Sequence, residues 1–390
     1  MMINKYFLFG LIVCLSTISL KFGTILAFIY ALLSLKLTWK GDYKQIIFII
    51  ISIKLLWVIS VFIGLSSKTI YSLLQFITPD AVLLLMLFIS INKDNLDKFL
   101  LPFVGLFLID LSFNLSIVMF GEDFFGRTGG FRPGDWLVRL GGIFDNTMFS
   151  IAIATIGVII GILSRRRWLF ILAIIELLIN GSQRAPLILI IFTSGYILFK
   201  MKSRLILIFG TSFIFAAMVV LATFYTAYQT GYFDNEDVFI TGNILRVVAW
   251  TNAIDSISLS NILFGNHNDF IQGNIEIPGM SVNTIRDYGI AESLYLQMTL
   301  DYGFIPAFLS YYVLYFITKR DIVIYYSDTN NDVYLARALM GFVLFTESFY
   351  GVLYGTYIII FLFAIISLGY EERDVERKMD SAILGLEGIK

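Results

Sequence analysis

Phe99–Phe120 reads FLLPFVGLFLIDLSFNLSIVMF, an unbroken apolar run that carries a single charge, Asp110. As a helix, ~20 such residues cover the ~30 Å hydrocarbon layer of a bilayer. The same test, carried outward from this run, selects further stretches at 5 to 20, 22 to 38, 45 to 65, 71 to 91, 143 to 163, 167 to 181, 185 to 199, 203 to 226, 292 to 317, 334 to 350 and 352 to 370. Composition agrees: of 390 residues 58% are hydrophobic and 15% charged, and mean hydropathy is +0.83, which makes lipid the expected solvent. Lys5 followed by an apolar stretch resembles a signal peptide, but a second apolar run follows at once, so residues 1–20 are expected to remain as a first span.

Basic residues supply an orientation, because cytoplasmic loops hold an excess of Lys and Arg. With the N-terminus inside, Lys36, Lys40, Lys44, Lys93, Lys98, Arg165, Arg166, Arg167, Lys200, Lys202, Lys319 and Arg320 all fall on the cytoplasmic face. The outer face receives Lys21, Lys68, Arg127, Arg132, Arg139, Arg184, Arg246 and Arg286. Both termini are then cytoplasmic. Two outward segments, 121–142 and 227–291, are longer than plain turns. The first is glycine-rich and suits a tight irregular path. The second contains 243–258, where Val247, Trp250, Ile254 and Ile257 share one helical face, as in a helix lying along a membrane interface.

Several chemistries are disfavoured by composition. A net charge of -1 offers no footprint for nucleic acid. Cys14 alone can form no disulfide framework within the chain, and His267, the single histidine, argues against a zinc or catalytic-histidine centre. The acidic run Asp234, Glu236, Asp237 suits a solvated loop better than a cation clamp, so a metal-independent chemistry without cofactor is expected.

From residue 121 onward every outward basic residue is an arginine. Guanidinium grips phosphate or carboxylate oxygens with two parallel hydrogen bonds, which points to an anionic ligand such as a diphosphate. The alternative is pairing with acidic neighbours, of which Glu122, Asp123 and Asp135 are examples. Ionisable residues within apolar runs, namely Lys54, Asp80, Asp110, Glu176 and Glu347, are costly in lipid and are functional suspects in their own right. They also suit an ion path, which keeps a transporter or flippase open as a competing reading.

Four patterns occur in order: GGIFDNTMFS at 141–150, GSQRAP at 181–186, NILRVVAW with LFGNHNDF at 243–250 and 263–270, and AESLYLQMTLDYGFIP at 291–306. This set resembles the O-antigen polymerase and O-antigen ligase superfamily over roughly residues 120–306. Ligases of that superfamily commonly open the last motif with histidine; Glu292 stands there instead, which resembles the Wzy-type polymerase branch. The resemblance implies an all-α polytopic integral membrane protein, one transmembrane domain over 1–390 of about 12 helices, with a large periplasmic loop and a GT-C-like plan. It implies residence in the bacterial inner membrane with a periplasmic active site. The implied reaction is glycosyl transfer of a growing glycan from undecaprenyl diphosphate to a new lipid-linked repeat unit, in lipopolysaccharide biosynthesis. Partners would be undecaprenyl-diphosphate-linked oligosaccharide, membrane lipid and a chain-length regulator protein. Under that resemblance Glu292 is the general base, with Arg184, Arg246 and Arg286 on the diphosphate. Arg127, Arg132, Arg139, Asn146, Trp250, His267 and Tyr295 are expected to line the substrate. An O-antigen ligase acting on lipid A core is the alternative within the family.

Overall fold

The computed structural model describes residues 4–18, 93–130, 137–182, 184–200 and 332–347, with single helical positions between 26 and 59 and between 312 and 325. Helix α1 spans Lys5–Ile18, α2 Lys93–Phe120, α3 Thr147–Leu163, α4 Arg167–Ile179, α5 Arg184–Lys200 and α6 Asp332–Glu347. A short 3-10 turn, Gly142–Phe144, precedes α3. The described residues form no sheet, only an isolated antiparallel bridge between Gly130 and Arg139.

Helix α3 is the centre. Its sequence, TMFSIAIATIGVIIGIL, is apolar on every side, and its burial extends around the whole circumference, as such a composition demands. Asn146 starts it by accepting hydrogen bonds from the backbone N–H of Met148 and Phe149 (2.9 and 3.4 Å). Helix α4 returns against α3 after the three-residue turn Ser164–Arg166, in which Arg165 adopts a left-handed φ of 55°.

Helix α2 divides into two faces. Phe99, Phe103, Phe107, Asp110, Asn114 and Ile117 recur at steps of three and four and all point inward. The Phe99 end packs on α1, where the rings of Phe9 and Phe99 lie 5.8 Å apart and a Cβ at Gly10 would run into the Phe99 carbonyl. The middle of α2 packs on α3. Helices α5 and α6 close the bundle, α6 against both α5 and α3.

These helices correct the expected architecture. By length and composition one helix among the described residues can cross a membrane, Asn95–Phe120 within α2. The stretches expected at 5–20, 143–163, 167–181, 185–199 and 334–350 form helices of 14, 17, 13, 17 and 16 residues. At 1.5 Å per residue even 17 residues rise only about 25 Å, short of the hydrocarbon layer. The GT-C-like fold of twelve spans is therefore replaced by a mostly helical architecture with one candidate span among the described residues. A multi-pass placement in the inner membrane, and the O-antigen polymerase, ligase and flippase readings that depended on such a frame, fall with it. The segments 71–91, 203–226, 227–291 (with the interfacial helix expected at 243–258) and 352–370, and 292–317 apart from Tyr312, lie outside the described residues.

Candidate functional site

The polar residues of α2 meet those of α3 and α4 in one buried cluster. Asn114 donates from Nδ2 to Ser150 Oγ at 2.7 Å, to Glu176 Oε1 at 2.8 Å and, more weakly, to Asp110 Oδ2 at 3.4 Å. Its Oδ1 accepts the backbone N–H of Gly142 at 3.0 Å, which fixes the amide's orientation. Asp110 Oδ1 accepts the neighbouring N–H of Ile143 at 2.8 Å. Asp110 and Asn114 are fully covered, and Ser150 and Glu176 are 1% exposed.

Asn114 Nδ2 reaches both carboxyl groups, which brings Asp110 and Glu176 into one cluster. Carboxylates are acceptors only, and Glu176 Oε2 is buried with no hydrogen bond from a donor among the described residues, a position that suits a carboxyl carrying its own proton. Charge repulsion adds a reason: two bare carboxylates in a dry site repel strongly, and Arg127, the described cation that acts on Asp110, is engaged by Asp123.

The connection between α2 and α3 is built onto this cluster. Gly142, at φ +60°, presents its N–H to Asn114 in a space where a Cβ would collide with the Asp110 carboxylate. Asp145, also left-handed at φ 54°, closes the turn by donating its N–H to Gly142 O. Farther out, Arg127 donates from Nε to Asp123 Oδ2 at 2.7 Å and from Nη2 to the carbonyls of Gly142 and Ile143 at 3.2 and 3.3 Å. The Arg127 guanidinium also lies over the rings of Phe113 and Phe125, 5.7 and 5.3 Å from their centroids. Burial pushes the Asp123 carboxyl up; the N–H groups of Arg127 and Phe125 and the Arg127 charge more than offset this and hold it below its ordinary range.

The C-terminal end of α4 joins from the other side. Asn180 donates from Nδ2 to Leu140 O at 3.1 Å, and Gly181 donates its N–H to Val138 O at 2.9 Å. A Cβ on Gly181 would strike the Leu137 carbonyl, so this glycine is required by a close backbone approach. That contact gives the GSQRAP turn a packing role.

The residues singled out in the sequence are distributed as follows. Arg127 carries the Asp123 clasp, Arg139 forms the backbone bridge to Gly130, and Asn146 caps α3. Arg184 is the first residue of α5. Arg132, Arg246, Trp250, His267, Arg286, Glu292 and Tyr295 lie outside the described residues. Asp110 and Glu176 stand out in the sequence by the cost of ionisable groups in apolar runs, and here they are neighbours. Asn114 and Ser150 carry no comparable signal; the spacing Asp110–Asn114, one helical turn, is the only hint the sequence offers.

Among the described residues no group of three or more His, Cys, Asp or Glu is placed to share a metal ion. No family model, curated protein or solved structure matches the chain.

Proposed function

We propose that these helices carry a proton-binding centre, in which one proton shared by Asp110 and Glu176 holds α2, α3, α4 and the 121–146 connection together. The observation that carries this reading is Glu176 Oε2, a buried acceptor with no donor among the described residues, beside a second buried carboxyl. A proton between the acids completes the cluster. Its removal leaves two anions facing each other, and the nearest relief is for the Gly142–Ile143 turn to leave Asp110 and Asn114 and admit water. The centre thus couples proton occupancy to the seating of a surface connection. Acid–base chemistry on a bound substrate is less favoured, because all four side chains are sealed from solvent.

Infrared difference spectroscopy of the full chain tests this. At neutral pH the protein should show the carbonyl band of a protonated carboxylic acid, shifted in deuterium oxide and lost in Asp110→Asn/Glu176→Gln. Carboxylate bands alone at both positions would end the proposal.

A further inference from the structure

The oxygens of the buried cluster are unequally engaged. Asp110 Oδ1 takes the Ile143 N–H at 2.8 Å, and Glu176 Oε1 takes the Asn114 amide at 2.8 Å. The weakest contact of that amide, 3.4 Å, falls on Asp110 Oδ2, and Glu176 Oε2 receives no hydrogen bond from a donor among the described residues. Around Asn114 Nδ2, oxygens of Asp110 from α2, Ser150 from α3 and Glu176 from α4 converge. Three helices thus direct electron-rich atoms at one dry point.

We propose that this cluster also takes a sodium ion, held by the Asp110 and Glu176 carboxylates and the Ser150 hydroxyl, in exchange for the proton of the acid pair. The inference rests on the proton-binding reading above. One sodium ion enters as one proton leaves to water, so the net charge of the pair is unchanged and no further charge has to be buried. A dication fits less well. Calcium takes roughly six to eight oxygens and magnesium keeps several waters, and two acids with one hydroxyl in a sealed site supply neither. The packing favours a small ion, since even a Cβ at Gly142 would strike the Asp110 carboxylate. Among the described residues, the other charged groups placed around the pair are Arg127, which acts on Asp110, with Asp123 and Asp145 of the same connection. Helix α3 has no ionisable side chain. Helices α2 and α4 carry their remaining charges within Lys93–Lys98 and at Arg167, and α5, packed on α4, carries its own at Arg184 and Lys200. Exchange requires the Gly142–Ile143 turn to lift, because its N–H groups are bonded to Asn114 and Asp110.

The test compares the full chain in sodium chloride and in N-methylglucamine chloride, whose cation is too large to enter, at equal ionic strength. The infrared band of the protonated carboxyl is followed against pH. Its midpoint should fall by about one pH unit for each tenfold rise in sodium above the ion's dissociation constant, as one-for-one competition requires, and stay fixed in N-methylglucamine. Ser150→Ala should keep the band and need severalfold more sodium for the same shift. In denaturant unfolding at neutral pH, sodium should raise the midpoint of the wild type but not of Glu176→Gln, which keeps a neutral group of the same shape. A band indifferent to sodium would overturn the sodium site and leave the proton-binding reading intact, whereas absence of the band in N-methylglucamine would end both. Equal shifts in the two salts would reduce the effect to ionic strength, and a sodium response that survives in Glu176→Gln would put the ion elsewhere; either overturns the proposal.

Discussion

Asn114 serves both carboxyls, a hydroxyl and a backbone N–H with one amide, so its loss should cost more than a single hydrogen bond. Asn114→Ala orphans the Gly142 N–H and withdraws the donor from Glu176, and about 3 kcal/mol of stability should be lost, measured by denaturant unfolding. A smaller change tests the turn. Gly142→Ala must hold a left-handed φ, at about 1 kcal/mol, and also displace the Asp110 carboxylate. A Cβ at Gly130 would meet nothing within 4 Å, so Gly130→Ala is the control and should be nearly neutral. Asp123 gives a pH signature. Its carboxyl is held below the ordinary range, so its contribution is fully present above the unfolded value and disappears as pH falls through the folded one. Acidification below about pH 4 should therefore release residues 121–127, seen as rising amide exchange there, with Asp123→Asn showing no such acid step. If the segment exchanges equally fast at neutral and acid pH, the clasp contributes nothing.

Helix α3 is held close to its neighbours by glycine. A Cβ at Gly157 would come within 2.8 Å of the Phe107 ring of α2, and one at Gly161 within 2.7 Å of the Phe170 backbone of α4. The four-residue spacing puts both on adjoining parts of the helix surface, where small side chains permit near-contact of backbones. Gly161→Leu should push α4 off α3 and cost about 1–3 kcal/mol by overpacking. Gly105→Ala on α2, where the added methyl meets nothing, should be neutral or stabilising by up to about 1 kcal/mol. Comparable losses at both positions would show that packing is not the cause. At this scale much was legible in advance. Apolar runs expected at 167–181 and 185–199 appear as Arg167–Ile179 and Arg184–Lys200. The run expected from residue 143 begins as a helix at Thr147, because Gly142–Phe144 is drawn into a 3-10 turn by Asp110 and Asn114 of α2 and Asn146 then caps α3. That difference is tertiary: no local pattern announces that Asp110 will take the N–H of a residue thirty-three positions away.

Over the whole molecule, composition states how much apolar surface must be covered but not how many helices are long enough to cross a bilayer, which is why counting runs overstated the number of spans. The arginines illustrate the same limit. Type and position suggested an anionic ligand, whereas for Arg127 the described partner is Asp123, four residues away. Another arginine–aspartate pair, outside that outward set, ties α6 to a residue sixteen positions earlier. Arg337 of α6 donates from Nε to Asp321 Oδ2 at 3.0 Å and approaches Oδ1 with Nη2 at 2.8 Å, both residues being buried. Burial pushes the Asp321 carboxyl up to about 6 from an ordinary 3.8, while Arg337 and Arg320 pull it down. The folded protein therefore holds this proton more tightly than the unfolded chain. The stability gained from it is complete below the unfolded value of about 3.8 and is lost as pH rises through about 6. Asp321→Asn should remove that slope between about pH 4 and 6, so the difference between wild type and variant changes across the window and is constant above it. Removing Arg337 alone is harsher, since Arg337→Met leaves the acid without its closest cation; about 3–5 kcal/mol should be lost at neutral pH. Asp321→Leu/Arg337→Met, with no buried charge stranded at these two positions, should recover part of that loss in a double-mutant cycle. Parallel stability curves for wild type and Asp321→Asn from pH 4 to 7, or strictly additive losses in the cycle, would mean that this pair does not tie α6 to the residues before it.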